Sequence, residues 1–319
     1  MTNRGPQNEG YNYCTICGVI NPTIVAKNID AAGAHKKPYP DEKESTCPGG
    51  KTARAIVLGT DFITDVLLIS LRVGPPVSLQ PGLLATEIAM RTLCEALSKA
   101  ACQRLDLEAG EIQAEFRPAL NGRGSEGLET EIYLYDTLPG GAGFVRQAGE
   151  LRLGLLEEAL GILESCPDDC DSSCYRCLRG YKNKFDHHLL DRHIASGLLR
   201  FLLYREIPSI TDRRAKQAAE LLFDDLERQS VTEIAIERDR TMALPGIGEV
   251  QVPILVTRND GNQTIINFTA PLTPHYCADS KLRYAAEISA THVHLIDELL
   301  IRKNLPRTTS ELLNRFGVN

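Results

Sequence analysis

Four cysteines crowd into one short stretch of this chain: Cys166, Cys170, Cys174 and Cys177. Zinc takes four ligands in a tetrahedron, and thiolates satisfy it without redox chemistry. A Cys-x2-Cys pair such as Cys174 and Cys177 folds into a tight knuckle that aims both sulfurs at one ion. Cys166 and Cys170 stand one helical turn apart, so both can face the same point. Asp168, Asp169, Asp171, Ser172 and Ser173 are turn formers, as a chain wrapped around a metal requires. Buried free thiols are the bland alternative, and the interleaved Asp and Ser weigh against it. An iron–sulfur cluster is the stronger rival, since four thiolates also suit it, but the spacing lacks the ferredoxin pattern. Zinc is the expected ion, with iron–sulfur as the alternative. In either case protein sulfurs fill the coordination shell, which predicts a structural rather than a catalytic site.

A second set lies near the start. Cys14-x2-Cys17-Gly18 is a knuckle half-site, and Cys47 precedes Pro-Gly-Gly. His35 is the histidine nearby, so Cys14, Cys17, His35 and Cys47 form a candidate three-sulfur, one-nitrogen site. The competing reading makes His35 a solvated loop residue and takes the fourth ligand from elsewhere. Cys94, Cys102 and Cys277 stand apart and read as buried apolar residues.

The remaining sequence must position these groups. The 319 residues suffice for two ordinary domains, or for one with an appended module. Hydrophobic residues at 43% and charged residues at 24% predict a soluble, globular chain. The formal charge of -7 means that any contact with nucleic acid must come from a local basic patch. No segment holds the roughly 18 uncharged apolar residues of a membrane span. Residues 1–10 are polar, without the apolar core of a signal peptide. The expectation is a cytoplasmic protein with no membrane partner, whose ten cysteines are not disulfides.

Residues 1–50 are rich in Gly, Pro, Asn and Lys and read as a loop-rich module that needs a staple. ARAIVLGTDFITDVLLISL reads as two strands around a Gly-Thr-Asp turn. Pro75, Pro76 and Pro81 break the chain. GLLATEIAMRTLCEALSKAACQRL has the apolar spacing of a helix. EIQAEFRPAL and LETEIYLYDTL read as paired strands around a Gly-rich turn at Asn121–Gly127. PGGAGF leads into one long helix, about Val145–Glu164, that runs to the cysteines, and HHLLDRHIASGLLRFLLY is the next helix. PGGAGF tempts a phosphate-loop reading, but no Lys follows it, and a tight strand-to-helix turn is preferred.

Pro208 opens a further unit. TDRRAKQAAELLFDDLERQS is a helix with Thr211 or Asp212 as N-cap. VTEIAIERD, EVQVPILVTRND and NQTIINFTAPL are strands, SKLRYAAEISA a helix, THVHLID a strand and TTSELLNRF a short last helix. The fold class is therefore α+β: a zinc-knuckle module at 1–50, a zinc-stapled mixed domain at 51–206, and a smaller αβββαβ domain at 207–319. That last order matches restriction-endonuclease-like nucleases, which hold magnesium through acids on the second and third strands. VPILVTR and TIINFTAP carry none, so the domain is expected to be inactive. Asp260 reads as a turn residue, and His292 and His294 lack two further ligands.

LGTDFITDVLLI, EIYLYDTLPGGAGF and CPDDCDSSCYRCLRGYKNKFDHHLLDRHIA together resemble the MrfA-type zinc-binding (MZB) domain. The resemblance covers about residues 12–205 and is strongest around Tyr133–Phe144 and Cys166–Arg192. Such domains occur at the C-terminal end of superfamily 2 DNA helicases and in helicase and partner proteins of the DISARM antiphage system. The resemblance implies zinc on Cys166, Cys170, Cys174 and Cys177, and a role in DNA unwinding or translocation, in DNA repair or in phage defence. The chain lacks a G-x-x-x-x-G-K-[ST] phosphate loop and a Walker B strand, so the resemblance implies a helicase or ATPase motor that lies on a partner chain or was left off this one.

Arg176, Arg179, Lys182 and Lys184, interleaved with Tyr175, Tyr181 and Phe185, are the candidate contact to single-stranded or forked DNA. Basic groups bind phosphate without reading sequence, and rings stack on unpaired bases. Arg192, Arg200, Arg205 and three histidines, His187, His188 and His193, extend this basic region. The bland alternative is a solvated helix face with tyrosines packed on the knuckle. Three functions follow: a non-catalytic helicase accessory segment, a nuclease acting through the C-terminal domain, or a protein–protein scaffold.

Overall fold

The computed structural model describes residues 2–24, 33–39, 45–59, 61–118, 129–229, 234–244, 247–288 and 292–317. The chain divides into two units, Met1–Ile63 and Thr64–Asn319. The predicted turn at Asn121–Gly127 lies outside the described residues.

In the first unit no strand exceeds five residues. β1 (Thr2–Asn3), β2 (Tyr11–Cys14), β3 (Ile20–Pro22), β4 (His35–Lys36), β5 (Thr46–Cys47), β6 (Thr52–Ile56) and β7 (Leu58–Gly59) form three small antiparallel sheets. Their orders are β1–β7, β3–β2–β6 and β4–β5. The unit runs through Ile63 because β6 closes the central sheet against β2. Its buried cluster is Cys14 and Cys47, with Cys17 and Val19 packed against them. Such a core is mostly candidate metal ligands.

The second unit begins with β8 (Val66–Arg72), an edge strand. α1 (Leu84–Arg104) follows, with Ile88, Met90, Leu93 and Leu97 fully buried. β9 (Ile112–Pro118) and β10 (Glu129–Asp136) complete an antiparallel sheet in the order β8–β10–β9, with Thr130 opposite Pro118. The two strands expected around a Gly-Thr-Asp turn therefore exist as β6 and β8 but join different sheets. The PGGAGF turn is held by a buried carboxylate. Asp136 accepts from the backbone N–H of Ala142, Phe144 and Val145 at 2.8, 3.1 and 2.9 Å. Those donors are taken, as the tight-turn reading requires.

The single long helix expected at Val145–Glu164 is two helices. α2 (Phe144–Glu150) packs on β8 and β10, and α3 (Leu153–Glu164) packs on α1. Arg152, at φ 52°, makes the break that lets each segment bury its own apolar face. Similarly, α4 (Arg192–Tyr204) starts later than the sequence suggested. His187–Leu189 form a 3-10 turn, and Asp191 caps the helix by accepting from His193 and Ile194 N–H.

α5 (Asp212–Gln229), β11 (Ile234–Leu244), β12 (Gly248–Arg258), β13 (Gln263–Thr269), α6 (Ser280–Ile288), β14 (His292–Asp297) and α7 (Glu298–Phe316) complete the chain. The sheet runs β11–β12–β13–β14, with only the last pair parallel. Its faces bury Ile254, Val256 and Ile266 under α5 and α7, and Val252, Leu255 and Ile265 beside α6. The expected element order αβββαβα is present. The last helix is the exception, being 19 residues long instead of short. Asp297 caps its start through Leu299 N–H, and a break at Asn304 accommodates Pro306.

Candidate metal centres and the basic knuckle

α3 ends at Glu164, and the chain then wraps so that the sulfurs of Cys166, Cys170, Cys174 and Cys177 converge. The Sγ–Sγ separations are 3.5 Å for Cys166–Cys170, 3.6 Å for Cys166–Cys174 and Cys170–Cys177, and 3.7 Å for Cys174–Cys177. A disulfide is about 2.05 Å. A tetrahedron of zinc–sulfur bonds near 2.3 Å has edges of about 3.8 Å, so the four sulfurs already stand at ligand spacing. Cys174 N–H donates to Cys177 Sγ at 3.1 Å, as a knuckle does. Burial and the neighbouring sulfurs push the Cys170 thiol well up. Burial also opposes ionisation of Cys166, but the N–H groups of Cys170 and Asp168 and the nearby thiols outweigh it and lower it to about 7. Four thiols this close cannot all ionise without a cation among them, and a divalent ion relieves that repulsion.

The N-terminal quartet also assembles, with all four ligand atoms within 4.8 Å of one another. Cys14 and Cys47 are fully buried, their sulfurs 4.0 Å apart. Gly18, at φ 81°, turns the knuckle so that its N–H reaches Cys14 C=O at 2.9 Å. β4 pairs with β5 and sets His35 directly opposite Cys47. His35 Nε2 lies 3.1 Å from Cys17 Sγ, while Nδ1 faces the Gly33 carbonyl at 2.7 Å. A backbone acceptor on Nδ1 is what a metal-binding imidazole uses to fix its tautomer and expose Nε2. That pairing of β4 with β5 brings His35 within reach of the three cysteines. Burial opposes ionisation of Cys14, yet the N–H groups of Cys17 and Ile16 and the adjacent thiols bring it down to about 7. Both quartets can hold zinc, and among the described residues no other Cys, His, Asp or Glu group meets the same geometry.

The sequence-predicted basic region divides on inspection. Tyr175, Tyr181 and Phe185 are 72%, 81% and 80% exposed, although Tyr175 meets the His187 ring edge-on at 5.4 Å. Lys184 lies over the rings of Tyr181 and Phe185 at 4.3 and 5.0 Å. Arg176 and Lys182 are exposed, and Arg179 is half-buried, donating to Ser173 Oγ. Arg192, by contrast, is buried and cannot reach a ligand strand. It donates to the carbonyls of Cys170 and Leu163 and pairs with Asp169 at 2.7 Å. Arg200 is tied to Glu164 and Glu206. His187 bonds Gly180 C=O and Asn183 Oδ1, which makes it a strut of the knuckle.

Sequence reasoning missed the ionic network behind the cysteines. Arg214 of α5 pairs with Asp191 at 2.9 Å and with Glu298 at 3.1 Å, and all three are almost fully buried. Arg302 of α7 reaches Asp191 at 2.8 Å and Glu298 at 2.6 Å. Arg214 Nη2 also donates to the carbonyl of Asp171, inside the cysteine loop. Apart from the i,i+4 pair Arg302–Glu298, the partners lie 23 to 111 residues apart, so no local pattern announces the network. Asp260, as expected, is a turn residue, accepting from Asn262 N–H at 3.0 Å.

Residues 93–178, which include the second quartet, match the family model of the MrfA Zn-binding domain, MZB. The four converging sulfurs thus lie in a segment that matches a zinc-binding domain of that class, over a span narrower than the resemblance at about 12–205. The chain is also similar to Druantia protein DruE of Escherichia coli (strain UMEA 4076-1), at 29% identity over 321 residues. That match takes in 96% of this chain and 16% of the relative, so the chain spans about a sixth of the length of the curated protein it matches. No solved structure matches the chain. No helix among the described residues is long and apolar enough to cross a membrane.

Proposed function

We propose that this chain is a non-catalytic, zinc-stapled segment that contacts single-stranded or forked DNA for an ATP-dependent helicase or translocase. The observation that carries the reading is the set of exposed rings and cations on the cysteine knuckle. Arg176, Lys182 and Lys184 stand among Tyr175, Tyr181 and Phe185, and all six side chains belong to exposed residues. Zinc supplies charge and rigidity there, and the side chains supply the phosphate and stacking contacts. Phage defence in the cytoplasm is the favoured setting, supported by the MZB match together with the similarity to Druantia protein DruE, a defence protein. DNA repair is the other setting that the MZB resemblance allows.

In this reading the first unit, residues 1–63 rather than 1–50, is a separate zinc module, residues 64–206 carry the strand contact, and 207–319 are a silent restriction-endonuclease-like domain. The sheet order β11–β12–β13–β14 supports that last assignment, and β13 carries no acidic residue. Fluorescence anisotropy of the zinc-loaded chain on labelled single strands and forks tests the proposal. Affinity should fall steeply as salt rises, and Arg176→Ala with Lys184→Ala should weaken every sequence alike. No binding at low salt favours a pure scaffold, and magnesium-dependent cleavage favours a nuclease.

A further inference from the structure

A groove of about 510 Å³ opens between α1, the free edge of β9 and the knuckle. Its volume lies within the roughly 300–1,000 Å³ of small-molecule sites. The wall from α1 carries Arg91, Glu95 and Lys99, β9 contributes Glu115 and Phe116, and Arg179, Tyr181 and Lys182 stand at the knuckle side. We propose that this groove takes up one unpaired nucleobase bearing an exocyclic amino group, guanine fitting best, with Glu95 and Glu115 accepting from its N–H edge. The inference rests on the DNA-contact reading above and adds base selectivity to it.

Charge decides which part of a nucleotide can enter. Glu95, Glu115 and Asp186 line the groove together with Arg91, Lys99, Arg179 and Lys182, and such mixed walls suit a neutral base with N–H donors better than a bare phosphate. Lys182 and Lys184 flank Tyr181 on the exposed knuckle, Lys182 lining the groove and donating to Ala109 C=O at 3.4 Å and Lys184 standing outside it. The backbone therefore stays outside on the lysines and the base turns inward past the tyrosine. A cationic side chain from a protein partner is the alternative guest, but Arg91, Lys99, Arg179 and Lys182 line the same walls and disfavour it.

Hydrogen bonding then favours donors on the guest. Asn183 occupies one oxygen of Glu95 at 2.9 Å. Glu115 has no ion-pair partner among the described residues. Desolvation in the groove pushes both carboxyls up. Arg91 is anchored by Asp186 at 3.2 Å, with its guanidinium over Phe116 at 5.8 Å, and its Nε is buried without a partner. Guanine offers two adjacent donors, N1–H and the 2-amino group, to one carboxylate. Adenine and cytosine offer one amino group, and thymine a single imino N–H.

The test uses the full zinc-loaded chain and all-dT oligonucleotides carrying one central dG, one central dI or no substitution. Inosine lacks the 2-amino group. The expected result is that dG binds about tenfold more tightly than all-dT, with dI between them. Glu95→Gln and Glu115→Gln should each collapse that difference, and Glu115 is exposed enough for its variant to keep the fold. Lys182→Ala should lower affinity for all three strands. Equal, salt-dependent binding of the three strands overturns the groove assignment while leaving the DNA-contact reading in place. Absence of binding to any strand overturns both. Glu-dependent capture of an oligo-arginine peptide, with no base preference, assigns the groove to a protein guest and also overturns the proposal.

Discussion

The two cysteine clusters use similar ligands in opposite structural settings. Around Cys14, Cys17, His35 and Cys47 the buried core is little more than the sulfurs themselves with Val19. Around Cys166, Cys170, Cys174 and Cys177 the sulfurs sit on the margin of a large core that includes Leu93, Leu97, Leu163 and Leu198. With so little apolar core among its described residues, the first unit is expected to depend on metal for its fold. In the second, metal shapes a loop on a scaffold that apolar burial already holds, and the buried Arg214 network ties that loop to α5 and α7. A metal site can thus be a foundation or a keystone, and the surrounding apolar area decides which.

Chelation should separate the two settings with the largest effect. Structural zinc contributes about 10–16 kcal/mol in finger peptides, more than a small domain with so little core can replace. Removing metal should abolish hydrogen-exchange protection across β2 and β6, while α1 stays protected. Cys47→Ser should reproduce the first loss alone, and Cys177→Ser should loosen only the cysteine loop and the start of α4. Simultaneous loss of protection in both units would break the comparison.

The next effect concerns the keystone. Arg214 is 3% exposed and its partners Asp191 and Glu298 are 4% and 1% exposed. Removing one member leaves buried charges without compensation, which costs about 3–5 kcal/mol. Arg214→Ala should lower the urea midpoint of the second unit and release zinc from the loop more readily, because Asp171 C=O loses its donor. The first cluster's zinc content should not change. Intact zinc retention in the second cluster would show that the loop needs no support from α5.

The sequence displayed the ligands better than it displayed their supports. Cys166 to Cys177 could be read because metal chemistry fixes residue type and spacing locally. The helices α1 and α5 and the order of the last seven elements followed from apolar periodicity. The first unit's strands did not, because two to five residues are too few to show a period of two. The break at Arg152 was hidden because both flanking segments have helical periodicity, and only their different packing partners separate them. The ten residues by which α7 starts early were masked by Pro306, which reads as a breaker unless Asn304 is known to leave the helix. Arg214, Asp191, Glu298 and Arg302 look like ordinary surface charges in the sequence, since burial is a property of the assembled elements. The exposure of Tyr181 and Phe185 was equally hidden, since aromatic type alone favours packing.

The smallest expected effect lies beside the same network. His193, at the start of α4, is half-buried, and its Nε2 has no hydrogen-bond partner among the described residues. Burial, then the charges of Arg214 and Arg192, lower its pKa to about 4 from an ordinary 6.5, with Asp191 and Asp171 opposing. Below pH 6.5 the unfolded chain therefore takes up a proton that the folded chain refuses. Stability falls as pH drops from about 6.5 towards 4, and the cost is constant below that and absent above. Thiolate protonation weakens metal binding over an overlapping range, so the wild-type slope alone is not diagnostic. The difference between wild type and His193→Gln isolates the imidazole, because the cysteines are common to both. Urea midpoints measured from pH 7 to pH 5 should decline more gently in the variant. Parallel curves would mean that the imidazole is solvated enough to protonate in place, and that the keystone region is wetter than its buried charges imply.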